Sequence, residues 1–425
     1  MTKRTVICIV VSVTALVSGV ASAQPRPGDV FREYLWYNEK GDAGQTLRVG
    51  GKKGEVHPDR GSAHDYINAP VTLDHAFDLE HATKAEVVIE KILCHDGTKG
   101  LAIQINEGQW IVVPESPAIP QPQSDYQHHT YPVVPAPLSD LKAGTGNQFR
   151  MRVAPEHVWD WPQNLINGVH LRIYYDASKK SHPSGEIISP KAGERIRRDK
   201  AELMAQAQSP NGPIARVEYI GLYEDVNLEG DGVYRQWHYY YTHGRLAGHI
   251  GAAEAAPFAV TWDTTWAPDQ PEAIEVAARI VDSSGLIYMT QPVTGLVLHR
   301  PGVSVELCKP YDVPPRWVTR SGEKQQHFDV KGDLGDAIAM QLVWSSWSPG
   351  YMNGIGINGQ NVFENEGPKY QCFTHRVAVE DLTMLKNGQN TLTTGKTPLY
   401  DGQMVHGTEV NWPGVMVLVR YAKPL

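Results

Sequence analysis

The sequence predicts an all-β protein of packed antiparallel sandwiches, and three observations carry that expectation. Short runs alternate apolar with polar residues, as in AEVVIEKIL (85–93), QFRMRV (148–153) and SVELCK (304–309), which is the period of a half-buried strand. Glycine at 39 residues and proline at 30 supply frequent turns between these runs. A turn is also written twice, LSDLKAGTGN at 138–147 and LTMLKNGQN at 382–390.

From the N-terminus, Lys3 and Arg4 precede the apolar run VICIVVSVTALVSGV and the small residues ASA. That order is expected of a secretory signal peptide over residues 1–23, cut before Gln24, which points to a secreted or periplasmic location. The first structural unit is expected at 27–178. In it HAFDL, AEVVIEKIL, GLAIQINEGQW, the repeated turn, DWPQ and LRIYYD follow in order. Residues 291–425 repeat the scheme as QHFDV, AIAMQLVW, NGIGINGQN, LTMLKNGQN, NWPG and LVRY. The shared order predicts one fold used twice, with Phe77 matching Phe328 and Trp161–Pro162 matching Trp412–Pro413. About eight strands per copy close best as two facing sheets, a jelly-roll sandwich. Asn147 and Asn390 are expected to bond their own backbone, and INEGQ and INGQ to form hairpin turns.

Between the copies, residues 186–290 read IISPKAGERI, AELMAQAQSPNGPIARVEYIG, APFAVTWDTTWAP and AIEVAARIVDSSGLIY. This pattern resembles the immunoglobulin-like modules of bacterial secreted proteins, which implies a third sandwich. The insertion from Tyr223 to Glu254 departs from that pattern. DKAELMAQAQS from Asp199 admits a short helix but favours a strand by its alternating Ala201, Leu203, Ala205 and Ala207. The flanking units resemble, in fold alone, the jelly-roll modules of extracellular carbohydrate-active proteins.

Without the first 23 residues, 37 Lys and Arg face 47 Asp and Glu. Such a balance repels phosphate backbones, so nucleic acid is excluded as an expected partner. No later run reaches the length of a membrane-spanning helix. Cys94, Cys308 and Cys372 remain after the signal, with Cys308–Cys372 the preferred pair and free thiols the alternative.

Candidate ligand-binding residues are the aromatics that flank turns. Trp159 and Asp160 in APEHVWDWPQN offer an indole face and a carboxylate to a sugar. Trp237 and Tyr239 in WHYYYTH, with Trp344 and Trp347 in WSSWSPGY, extend that set. Candidate catalytic residues are Glu364 and Glu366 as a carboxylate pair, or His375 and Tyr370 as base and acid in eliminative cleavage. Metal candidates fall into two sets. His128, His129 and His157 suit a transition metal, while Asp225, Asn227, Glu229 and Asp231 alternate as in a calcium loop, though Gln236 stands where its glutamate belongs. The expected partner is an extracellular polysaccharide or glycoconjugate, recognised or cleaved. Self-association as a surface assembly protein is the remaining reading.

Overall fold

The computed structural model describes residues 25–37, 47–49, 70–93, 100–154, 164–364, 366–399, 402 and 407–423. They form an all-β molecule. In the N-terminal part, Val30–Tyr37, Asn164–Tyr175, Ala82–Leu93 and the interrupted His128–Thr130 and Val133–Ala136 lie side by side. Facing them are Val71–Leu73, Asn147–Arg152, Ala102–Ile105 and Ile111–Val112. Leaving aside the short Leu47–Val49, the order is 1-8-3-6 against 2-7-4-5, the jelly-roll arrangement. The C-terminal part repeats it. Ser304–Cys308, Met416–Tyr421, Ala337–Trp347 and Cys372–Val379 face Lys324–Val330, Gly388–Thr394, Ile355–Ile357 and Gln360–Phe363 in the same order.

The repeated turn is the same structure in both copies. Asn147 Nδ2 donates to the carbonyls of Lys142 and Gly144, while its Oδ1 accepts from the Lys142 amide and from Asn106 Nδ2. Asn390 does the same with Lys386, Gly388 and Asn358. Asn106 and Asn358 head their hairpins in the left-handed region, at φ 48° and 51°, where asparagine is one of the few side chains that fits. Register corrects one expected match. Phe328 pairs with Asn390, but Leu73 pairs with Asn147, and Phe77 bridges Gly144 instead. Phe328 therefore corresponds to Leu73, although both phenylalanines are buried in their cores. Trp161–Pro162 lies outside the described residues.

Residues 184–298 fold as the resemblance implied. Ser184–Ser189, Lys200–Gln208 and Val260–Asp263 form one sheet, so the segment from Asp199 is a strand. Arg195–Ile196, Val293–Leu298, Ile274–Asp282 and Ile214–Glu224 lie in the other, the immunoglobulin-like division of strands. Leu286–Met289 pairs with Ile274–Asp282 on one side and with Val30–Tyr37 on the other, which fuses the second sheet with the larger sheet of the first sandwich. The result is one sheet of 13 strands.

That fusion explains why every residue of Asn164–Tyr175 is buried. Its inner face, with Ile166, Leu171 and Ile173, belongs to the first sandwich core. Its outer face lies under the insertion, where Tyr239 and Tyr241 pack with Phe31, Tyr174 and Ile220. The start of the same insertion places Val226 and Leu228 against Val343, Met416 and Leu418 of the last sandwich. The insertion is thus a wedge between the two copies. Buried ion pairs run through the seam: Glu33 binds Arg172 at 3.0 Å and Arg279 at 2.8 Å, and Glu86 also pairs with Arg172. Burial alone would raise the Glu33 carboxyl, but Arg279, Arg172 and the Tyr241 hydroxyl bring it down to about 2.

The expected Cys308–Cys372 bridge does not form; both are free thiols. Cys308 points into the last sandwich core, whereas Cys372 packs outward against Ile92, Leu165 and Trp347 between the copies. Cys94 lies outside the described residues. Among the described residues no helix is long and apolar enough to cross a membrane.

Candidate functional site

A cleft of about 210 Å³ opens where both copies and the insertion meet, lined by His129, Tyr131, Asn167, Tyr240, Ser345 and Thr374 among others. Behind the lining lies Glu90, wholly buried on the strand Ala82–Leu93. Glu90 Oε1 lies 3.1 Å from His129 Nε2 and 3.3 Å from Asn167 Nδ2, and Oε2 accepts from the His243 amide at 2.9 Å. Burial would raise this carboxyl, yet the His129 hydrogen bond and charge, with His243, hold it below the usual range. A carboxylate only accepts, so His129 Nε2 carries the proton. The same nitrogen lies 3.1 Å from the Tyr131 hydroxyl. When the ring is neutral, Nδ1 is its basic nitrogen, and the carboxylate orients it.

Local sequence explains the placement. Strand alternation sends Glu86, Val88 and Glu90 to the outer face and Val87 and Ile89 to the core. The bulge between Ile166 and Gly168 turns out the intervening Asn167. From the insertion, Tyr240 stacks on Tyr131 with ring centres 5.2 Å apart and 27° between planes. Across the cleft the Ser345 and Thr374 hydroxyls bond at 2.7 Å, and Phe373 stands 44% exposed beside them.

The two copies offer equivalent positions to this cleft. Ala82 opposite Tyr175 matches Ala337 opposite Tyr421, with a register shift following each. Counting on from there, Glu90 corresponds to Ser345. Val88 faces Val133 as Val343 faces Arg376, so Tyr131 corresponds to Thr374 and His129 to Cys372. Equivalent Ile92 and Trp347 pack against each other.

Of the residues expected from sequence, His129 reaches this cleft. His128, its neighbour on the strand, points the other way, fully buried with Nδ1 3.1 Å from the Tyr126 carbonyl. Burial, with Lys91 nearby, pushes its pKa well down. The two imidazoles therefore do not share a ligand, and His157 lies outside the described residues. The calcium-like loop is closed by its own bonds: Asn227 Nδ2 and Gln236 Nε2 both donate to Asp231 Oδ1, at 2.8 and 3.1 Å. Glu229 Oε1 meets His238 Nδ1 at 3.1 Å. Asp225 is turned inward, and burial raises its carboxyl. Among the described residues no three His, Cys, Asp or Glu side chains are placed to hold a metal ion.

The aromatic candidates are corrected by burial. Trp344 lies in the last core, stacked on His375 at 4.3 Å and 7°, and Trp347 is sealed between the copies. Tyr239 is buried in the seam and Trp237 packs against its edge. Turns around these residues suggested exposure, but their strands have two covered faces. Trp159 and Asp160 lie outside the described residues. The catalytic candidates do not converge. His375 is buried, its Nε2 donating to the Glu366 carbonyl at 2.8 Å, and burial lowers its pKa. Tyr370 instead packs against Tyr351 at 5.7 Å. Glu364 and Glu366 are exposed beyond the end of Gln360–Phe363, so no strand aligns them.

Glu90 and Asn167 carry no local pattern that marks them, while Tyr131 ends the candidate loop of His128 and His129 and Tyr240 is one ring of WHYYYTH. One signal was present: NLINGVHLRIYY alternates an apolar face with one that carries His170, Arg172 and Tyr174, and polar groups on so long a strand call for partners such as the acidic residues of AEVVIEKIL.

No family model and no curated protein matches the chain. Solved structures are similar only faintly. Fibronectin(III)-like modules of Clostridium thermocellum CbhA share 16% identity over 47% of this chain and 86% of theirs, with a TM-score of 0.19. A β-porphyranase of glycoside hydrolase family 86 from Bacteroides plebeius shares 10% over 58% of this chain, which spans 38% of that enzyme, at 0.20. Carbohydrate-binding modules of the β-sandwich superfamily share 10% over 58% of this chain and 98% of theirs, at 0.17. Likeness at these TM-scores carries no weight for activity.

Proposed function

We propose that the protein recognises an extracellular glycan in the cleft between its two jelly-roll copies. One observation supports this reading most: rings and hydrogen-bonding groups alternate around a small opening, with Tyr240 and Phe373 beside Asn167, His129, Thr242 and the Ser345–Thr374 hydroxyl pair. Rings suit the apolar C–H faces of a sugar, and amide and hydroxyl groups suit its oxygens. A volume near 210 Å³ fits a single sugar ring, so a chain end or branch is accommodated better than the middle of a polymer. Calorimetric titration of the mature chain with a panel of oligosaccharides tests the reading. Binding by one class, weakened about tenfold or more in Tyr240→Ala and Phe373→Ala, is expected. No heat with any sugar at millimolar concentration would end it.

A second reading, cleavage of the bound glycan, is supported by the Glu90–His129 pair, whose geometry leaves Nδ1 available as a general base. An assay for new reducing ends, run on wild type and His129→Ala, separates the two readings. Binding without any product leaves recognition standing alone.

A further inference from the structure

A second groove, of about 500 Å³, lies on the seam between the first sandwich and the central unit and shares no lining residue with the cleft. Arg32, His81, Lys179 and Lys180 line it from the first sandwich, and Asn211 and Ser284 from the central unit. Three of these basic side chains each stand beside a carboxylate, and Glu80 itself lines the groove. Lys180 has Asp78 at 2.7 Å, Lys179 has Asp176 at 3.3 Å, and His81 has Glu80 at 3.7 Å. Arg32 has no carboxylate within 4 Å among the described residues, although Asp78 is near enough for the guanidinium to help lower its carboxyl. Among the described residues the Arg32 side chain makes one hydrogen bond, a long one from Nη2 to Ser284 Oγ at 3.4 Å, and its Nε is shut off from solvent with no partner there.

That is unusual. Buried polar atoms are nearly always bonded, and a guanidinium fork matches the paired oxygens of carboxylate and sulfate. Arg32 is held in place by the strand Val30–Tyr37, paired to Ile173 on one side and Leu286 on the other. The fork is therefore presented by a rigid sheet. Lys179, 63% exposed at the rim beside Asp176, is the second basic group that an anion there would meet.

We propose that this groove binds the oxyanion of an acidic saccharide, a carboxylate or sulfate substituent, with Arg32 as its anchor. The site is separate from the cleft, so it stands or falls independently of glycan recognition there. Titration of the mature chain with glucuronate, inorganic sulfate and glucose is the test. Glucuronate and sulfate are expected to bind, less tightly as chloride is raised, while glucose is not. Arg32→Gln should weaken both anions about tenfold, as loss of one charge-assisted contact does, and Tyr240→Ala should leave them unchanged. Lys179→Gln, an exposed change that keeps the fold, should weaken them by a smaller factor and serves if Arg32→Gln does not fold. Carboxylate binding without sulfate, or the reverse, identifies the substituent. Equal binding of glucose, no binding of either anion, or unchanged affinity in Arg32→Gln and Lys179→Gln overturns the proposal.

Discussion

Asn147 and Asn390 show how much of each turn rests on one side chain. Each is fully buried and closes its turn by bonding backbone on both sides. Asn390→Ala removes these partners together, and stranded backbone groups cost about 1–3 kcal/mol each. A loss of about 2–4 kcal/mol in urea unfolding is expected, several times that of an exposed Asn→Ala change. His238 gives a pH signature. Burial alone would lower it, but Glu229 raises it to about 9 in the fold, against 6.5 for the free group. A raised folded pKa contributes stability that is complete below pH 6.5 and lost as pH climbs through 9, roughly 3 kcal/mol in all. Denaturation curves across that window should fall for wild type and flatten for His238→Gln. The turn asparagines were legible because their spacing to LKxG repeats. The His238 partner was not, since nothing in the chain says that Glu229 folds back nine residues to meet it.

The insertion is the element that assembles the cleft, and Gly230 fixes where it docks. Gly230 has φ +66°, and a Cβ there would lie 2.2 Å from the His129 carbonyl oxygen. Gly230→Ala combines left-handed strain with that clash, so destabilisation well above 1 kcal/mol is expected. Weaker sugar binding should accompany it, because His129 and the loop shift apart. Calorimetry on the folded fraction reads both effects. Strands were legible at this scale through their alternation, as in Asn147–Arg152, where buried and half-buried residues take turns. The insertion was visible only as a departure from a pattern. Its rings could be counted in WHYYYTH, but which were covered depended on two sheets distant in sequence. Tyr239 and Tyr241 were drawn inward by Arg279 and Arg172, leaving Tyr240 to the cleft.

Across the whole molecule, the shared sheet of 13 strands makes the first sandwich and the central unit one mechanical body. A single calorimetric transition for these two parts is the expected outcome. Glu33→Ala should lower it steeply, by about 3–5 kcal/mol, because Arg172 and Arg279 are left as buried charges without their common partner. Two separate transitions for these parts would contradict the fused sheet. Duplication, order and class were readable here, since each copy carries its own pattern. The meeting of the copies was not, because contacts such as Ile92 on Trp347 join segments that share no local signature. That meeting has an evolutionary corollary. A symmetric dimer of identical halves must present matching walls to any cavity on its axis. Tandem fusion lifts the constraint, letting His129 and Tyr131 line the cleft with Cys372 and Thr374 at their equivalent stations. At matching stations one wall carries an imidazole and a phenol where the other carries a thiol and a hydroxyl, a division of labour that neither half, expressed alone and paired with itself, would reproduce.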